Sequence, residues 1–145
     1  MRCYTYLILG GGTAADSAVR GIRDLDPQGS IGMIGEEKDP PYSRPPLSKG
    51  LWTGKKPMEK IWRHTQQHNV DLHLGRRAEK LDAMNKQVVD DQGQVYTFDK
   101  LLLATGGRPR RLPFGQNWIM YFRTLEDYRQ LRTAAEQRKR FAVIG

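Results

Sequence analysis

The sequence predicts an α/β fold: a parallel sheet wound through a strand–turn–helix–strand unit, with a small antiparallel β-meander added to it. Three observations carry this. The apolar run Tyr4–Leu9 stops at three glycines, Gly10-Gly11-Gly12. From Thr13 on, Ala14, Ala15, Ala18, Val19, Ile22 and Leu25 recur at helical spacing. Later, Ala78–Leu81, Gln87–Val89 and Val95–Phe98 read as short strands, with turn chemistry at Asp90-Asp91-Gln92-Gly93. A length of 145 residues suits about one domain.

The remaining elements follow in order. Asp26-Pro27-Gln28-Gly29 is a turn, and Ser30 to Gly35 is a second short strand leading to Glu36-Glu37. Two strands joined through a helix should lie parallel. Residues 38–58 are rich in proline, which fixes φ and removes a backbone donor, so a shaped loop with one helical turn is expected. Met58 to Gln67 reads as a short helix and Val70 to Leu74 as a strand. Lys100 to Thr105 is an apolar strand ending at Gly106-Gly107, and Ile119 to Phe122 is a further strand. Thr124-Leu125-Glu126-Asp127 resembles a capped helix start, with Leu125, Tyr128 and Leu131 on one face. Phe141 to Gly145 repeats the Leu7-Ile8-Leu9-Gly10 pattern. The chain therefore reads as one domain over residues 1–140, with residues 141–145 as the first strand of a second nucleotide-binding domain that is cut short.

Composition narrows the function. The net charge is +8, from 24 Lys and Arg against 16 Asp and Glu. The basic clusters Lys55-Lys56, Arg76-Arg77, Arg108-Pro109-Arg110-Arg111 and Arg138-Lys139-Arg140 lie far apart and are not interleaved with aromatics. This favours scattered charge or an anionic cofactor over a nucleic-acid surface. A single cysteine, Cys3, supplies no internal disulfide and no Cys-x-x-Cys pair, which points to a reducing cytoplasm. No apolar run approaches the roughly 20 residues of a membrane span. The opening strand leaves no room for a signal peptide.

Gly10-Gly11-Gly12-Thr13-Ala14-Ala15 fits the G-x-G-x-x-G/A pattern. Gly10 permits a tight turn, Gly12 lets a pyrophosphate approach the backbone, and Ala15 lets the helix pack close to the sheet. The amides opening the helix then face the phosphates. Glu36 follows 24 residues after Gly12, where a carboxylate can accept both ribose hydroxyls and repel a 2′-phosphate. Other signals are less selective. Ala104-Thr105-Gly106-Gly107 alone fits a simple turn. Arg44 and Lys49 alone fit solvated charges, although an arginine suits phosphate and a lysine near a flavin can donate to N5. His64 and His68 have zinc-like spacing without a glutamate base between them, which reads as a solvated helix face. Trp52, Trp62 and Trp118 read as packing residues, Asp90-Asp91 as a hairpin turn rather than a metal site, and Cys3 as inert. No metal site is expected.

Taken together, the glycine turn, Glu36, Pro41-Tyr42-Ser43-Arg44-Pro45-Pro46-Leu47-Ser48-Lys49, Ala104-Thr105-Gly106-Gly107 and Phe122-Arg123 resemble the FAD-dependent pyridine nucleotide oxidoreductases of the glutathione-reductase-like fold. Within these, the chain is most similar to apoptosis-inducing factor and to the ferredoxin and rubredoxin reductases, from about Tyr4 to Gly145. The resemblance implies a Rossmann-like FAD-binding domain, with FAD as cofactor and NAD(P)H as co-substrate. It also implies an oxidoreductase when full length. Electrons would pass to an acceptor such as ferredoxin, rubredoxin, quinone or oxygen, with a homodimer allowed. By resemblance, Gly10, Gly11, Gly12, Thr13, Ala14 and Ala15 form the pyrophosphate turn. Glu36 with Glu37 holds the adenosine ribose, and Arg44 meets the phosphates or ribityl chain. Lys49 sits at the flavin ring as the catalytic candidate. Ala78 touches the adenine through its backbone, Ala104, Thr105 and Gly106 line the cofactor, and Arg123 is a further contact. The disulfide-reductase branch has a cysteine pair after Glu36. Here prolines and Lys49 stand in that region, so dithiol chemistry is unsupported. The alternatives are a redox-sensing, signalling flavoprotein of the apoptosis-inducing-factor type and a non-functional truncated fragment.

Overall fold

The computed structural model describes residues 1–115, 117–137 and 140–144. Eight regular elements occur among them: β1 (Arg2–Leu9), α1 (Thr13–Leu25), β2 (Ile31–Gly35), β3 (Asp71–Leu74), β4 (Ala78–Asp82), β5 (Gln87–Asp90), β6 (Val95–Leu103) and α2 (Leu125–Glu136). The chain forms two compact units. Met1–Ser43 with Ile61–Gly106 make the first, and Arg44–Lys60 with the chain from Gly107 make the second.

The first unit is built on one six-stranded sheet in the order β3-β2-β1-β6-β5-β4. β3, β2, β1 and β6 run parallel, and β6, β5 and β4 continue as an antiparallel meander. The parallel sheet and the meander are thus one sheet, because β6 belongs to both. The sequence splits this element into two strands, but Val95–Leu103 is continuous. Its first half pairs with β5 from Val95 to Thr97, and β1 lies beside it through to Leu103.

Strand β1 contributes to two cores, and alternation at its end sends Leu7 and Leu9 to one and Ile8 to the other. Leu7 and Leu9 join Ile34 with Val88, Tyr96 and Phe98 from the meander on one face, and Tyr4 also packs in this cluster. Ile8 joins Ile31, Met33 and Val70 beneath α1 on the other, where Ala15 and Val19 close the contact. The helical face is narrower than the sequence suggests. Ala14 is exposed, Leu25 is 89% exposed, and the buried position next to Ala15 is Asp16.

Met58–Gln67 is not one helix but two short 3-10 turns, Met58–Ile61 and Thr65–His68. Left-handed backbone at His64 and Asn69 brackets the second turn and stops its propagation. The proline loop contains a single 3-10 turn, Pro45–Ser48, in the second unit.

In the second unit, α2 begins as the sequence predicts. The Thr124 hydroxyl accepts from the Asp127 amide at 3.1 Å, and the Asp127 carboxylate takes the Thr124 amide at 2.6 Å, a reciprocal capping box. Leu125 and Tyr128 are buried and Leu131 is half-buried. Two expected strands are absent. Residues 119–122 and 141–144 have irregular backbone and, among the described residues, no strand partners, so their apolar runs are not read out as ladders. Gly145, and Arg138-Lys139 of the last basic cluster, lie outside the described residues.

Candidate functional site

The glycine turn leaves β1 where the strand order reverses: β2 and β3 extend to one side of β1, and the chain returns as β6 on the other. In open α/β sheets a crevice forms at such a switch point, outside the carboxyl ends of the strands. Gly10 is pinned there from both sides. Its amide donates to the Ile34 carbonyl at 2.8 Å, while the Ala104 amide donates to the Leu9 carbonyl at 2.8 Å. Its φ is +131°, and a Cβ would stand 2.0 Å from the Ala104 oxygen. No side chain fits, so the structure requires the glycine for the turn and brings Ala104 and Thr105 beside it.

Gly12 differs. It is the N-cap of α1 with φ −97°, a conformation open to other residues, and a Cβ there would meet no atom within 4 Å. Its requirement therefore does not come from the fold. The first helical bond is from the Asp16 amide to the Gly12 carbonyl at 3.1 Å. Amides earlier in the first turn have no intrahelical carbonyl to reach. In α2 a capping box satisfies this need; α1 has no side-chain cap. An uncapped helix start behind a bare glycine backbone is the arrangement that receives a diphosphate. The turn residues thus fit the pyrophosphate of a dinucleotide.

The acids lie at the end of β2. Glu36 is the first residue beyond the strand and is exposed, while the Glu37 carboxylate accepts the Tyr42 hydroxyl. The Arg76 amide donates to the Gly35 carbonyl at 2.9 Å and the Gly75 amide to the Glu37 carbonyl at 3.0 Å. The chain entering β4 at Ala78 is thereby tied to the stretch that carries both acids. Ala78 itself is half-buried against the meander core. Thr105 and Gly106 follow β6 and are exposed.

In the second unit, Arg44 caps the Pro45–Ser48 turn, and its Nη1 donates to the Arg123 carbonyl at 3.1 Å. The Arg123 amide in turn donates to Asp127 at 2.9 Å. Two residues 79 apart in sequence are therefore joined, and the α2 cap fixes the second. Lys49 ends the same turn with its side chain exposed.

Sequence reasoning missed a buried carboxylate in the first turn of α1. Asp16 is 0% exposed. It accepts from Arg63 Nε at 2.6 Å, Thr65 Oγ1 at 2.7 Å, and Arg20 Nε at 3.0 Å. Burial pushes its pKa up, but the hydrogen bonds from Arg20, Thr65 and Arg63 outweigh this and hold it below the usual carboxylate value. The available signal was an acid inside the apolar stripe with an arginine four residues later.

The discounted signals have structural roles or none. Asp90 is buried and binds Tyr96, Arg76 and the turn amides of Gln92 and Gln94. Trp52 packs edge-on to Tyr128, and Trp62 on Tyr42. Trp118 is 89% exposed, which corrects its reading as a packing residue. Among the described residues no group of His, Cys, Asp and Glu could hold a metal ion.

Comparison with known proteins agrees with this geometry. The family model described as pyridine nucleotide-disulphide oxidoreductase matches residues 4–145. The ferredoxin–NAD(+) reductase component of the p-cumate 2,3-dioxygenase system from Pseudomonas putida is 34% identical, over 96% of this chain and 36% of that protein. Apoptosis-inducing factor 1 from Dictyostelium discoideum is 33% identical, over 98% of this chain and 31% of that protein. The crystal structure of the covalent putidaredoxin reductase–putidaredoxin complex superposes with a TM-score of 0.82 at 32% identity, covering 90% of this chain and 34% of that one. The chain thus spans about a third of the length of the relatives it matches. With a matched model over almost every residue and the glycine turn at the switch point, the chain belongs to the pyridine nucleotide-disulphide oxidoreductase family.

Proposed function

We propose that this chain is the FAD-binding part of an NAD(P)H oxidoreductase that delivers electrons to a ferredoxin or rubredoxin. The observation that carries the reading is the uncapped start of α1 behind Gly12, at the switch point of the sheet. Family membership implies FAD with NAD(P)H as co-substrate. Relatives named as ferredoxin–NAD(+) and rubredoxin–NAD(+) reductases support the acceptor class. When bound, the flavin would take a hydride from NAD(P)H and release electrons to the acceptor. The chain's own residues bind and orient. The amides opening α1 hold the diphosphate, Glu36 accepts from the ribose hydroxyls, and Ala78 meets the adenine through its backbone. By the family resemblance Ala104, Thr105 and Gly106 line the cofactor, Arg44 and Arg123 are further contacts, and Lys49 donates to the flavin ring. Cys3, the only cysteine, is exposed at the amino end of β1, the opposite end of that strand from the turn, and supplies no dithiol.

In this reading residues 1–140 belong to the FAD domain, and residues 141–145 open the nicotinamide domain. The protein would act in the cytoplasm; among the described residues no helix is long and apolar enough to cross a membrane. Similarity to apoptosis-inducing factor favours a second reading, a redox-sensing flavoprotein with slow turnover. The test is anaerobic addition of NADH to the FAD-loaded protein, followed by a ferredoxin. Rapid bleaching of the flavin band and rapid reduction of the ferredoxin support the reductase. A bleached flavin that does not pass its electrons on supports the second reading, and a protein that retains no flavin contradicts both.

A further inference from the structure

Asp16 sets an electrostatic problem for a diphosphate at the start of α1. Its amide closes the first helical bond, onto Gly12, and helix side chains lean toward the N-terminus. An unpaired carboxylate there would oppose the phosphates through protein rather than water, where charges separated by a helical turn or two still interact appreciably. The chain supplies two guanidinium groups against it. Arg20 comes from the next turn of the same helix. Arg63 comes from 47 residues downstream and makes the shorter contact, 2.6 Å.

Arg63 is held in place by a strap, Arg63–Asn69. The Arg63 carbonyl accepts from Arg20 at 2.6 Å, and those of His68 and Asn69 accept from Arg23 at 2.8 and 2.6 Å. His64 and Asn69 both take left-handed backbone, φ 57° and 49°, which is uncommon outside glycine and persists where surrounding contacts enforce it. The Thr65 side chain, buried, completes the clasp on Asp16. The groups facing Asp16 are thus Arg20 from α1 and Arg63 and Thr65 from the strap. Arg23, exposed Asp24, exposed His64 and half-buried His68 are the other charged or titratable groups of these two elements.

We propose that Arg63 is a positioning residue for the dinucleotide: by pairing with Asp16 it keeps the phosphate-receiving end of α1 free of opposing charge. This rests on the dinucleotide reading above. The test measures FAD affinity of the whole chain by flavin fluorescence at pH 8 and pH 5.5, for the wild type, Arg63→Met, Arg63→Lys, Asp16→Asn and the double variant Asp16→Asn/Arg63→Met. Melting temperatures without FAD report folding. Arg63→Met should bind FAD about tenfold more weakly at pH 8. It should regain affinity at pH 5.5, because Asp16 without Arg63 takes up a proton more readily. The double variant should return to within about threefold of the wild type, and Arg63→Lys should stay there too. A merely structural Arg63 would leave the double variant at least as weak as Arg63→Met at both pH values, and that result overturns the proposal. So does an Arg63→Met variant that binds like the wild type throughout. A wild type that binds no FAD instead overturns the dinucleotide reading, and this proposal with it.

Discussion

Gly10 and Gly12 stand two residues apart and are glycine for different reasons. At Gly10 the fold itself forbids a side chain, through φ +131° and the Ala104 oxygen 2.0 Å from any Cβ. Gly10→Ala should therefore lower stability by at least about 2 kcal/mol, measured by urea unfolding, whether or not FAD is present. At Gly12 nothing in the protein meets a Cβ, so a substitution there separates ligand binding from folding. The glycine pattern was legible in the sequence because it is local. The Asp16–Arg63 pair was not, because its partners are 47 residues apart and meet only through the left-handed turns at His64 and Asn69. Glu37, which the sequence groups with Glu36, accepts the Tyr42 hydroxyl five residues on, across Pro40-Pro41.

Elements with strong local signals formed as read. The α1 periodicity and the Thr124–Asp127 box are both carried by neighbouring residues. Thr124→Ala should destabilise the start of α2 by about 1 kcal/mol, seen as earlier denaturant unfolding or faster amide exchange in its first turn. Because the Arg123 amide also bonds Asp127, that variant should loosen the Arg44–Arg123 contact as well. Apolar runs without such signals misled. Residues 119–122 and 141–144 are strand-like in composition, but a strand exists only where a partner ladder does, and among the described residues none lies beside them. The opposite error divides β6 at Asp99, between Val95–Phe98 and Lys100–Thr105, yet β1 runs alongside and holds the strand continuous.

At the scale of the whole molecule, buried ionisable groups set how stability varies with pH. His73 in β3 bonds the Tyr4 hydroxyl at 2.7 Å, and burial, then the charge of Arg2, lowers its pKa. The fold therefore favours neutral His73, and the unfolded chain takes up the proton first. Stability should fall as pH drops below about 6.5, and His73→Gln should flatten that portion of the profile. Asp16 and Asp90 are shifted down in spite of burial, which opposes the shift, because hydrogen bonds to their charged forms prevail. Their contribution is present above the unfolded value of about 3.9 and is lost as pH falls below it, giving a second, steeper decline in thermal melts. The α/β class and the meander could be read from periodicity alone. Their union in one six-stranded sheet could not, because it depends on β6 pairing with β1 across more than 90 intervening residues.

The central claim is that a dinucleotide diphosphate docks on the bare backbone of Gly12 at the mouth of α1. Equilibrium titration of FAD against the wild type and Gly12→Val, with melting curves of both, tests it most directly. The account predicts that Gly12→Val folds, melting only about 2–4 °C lower, and shows no saturable FAD binding, while the wild type binds and gains thermal stability with added FAD. A Gly12→Val variant that binds FAD as tightly as the wild type would contradict it.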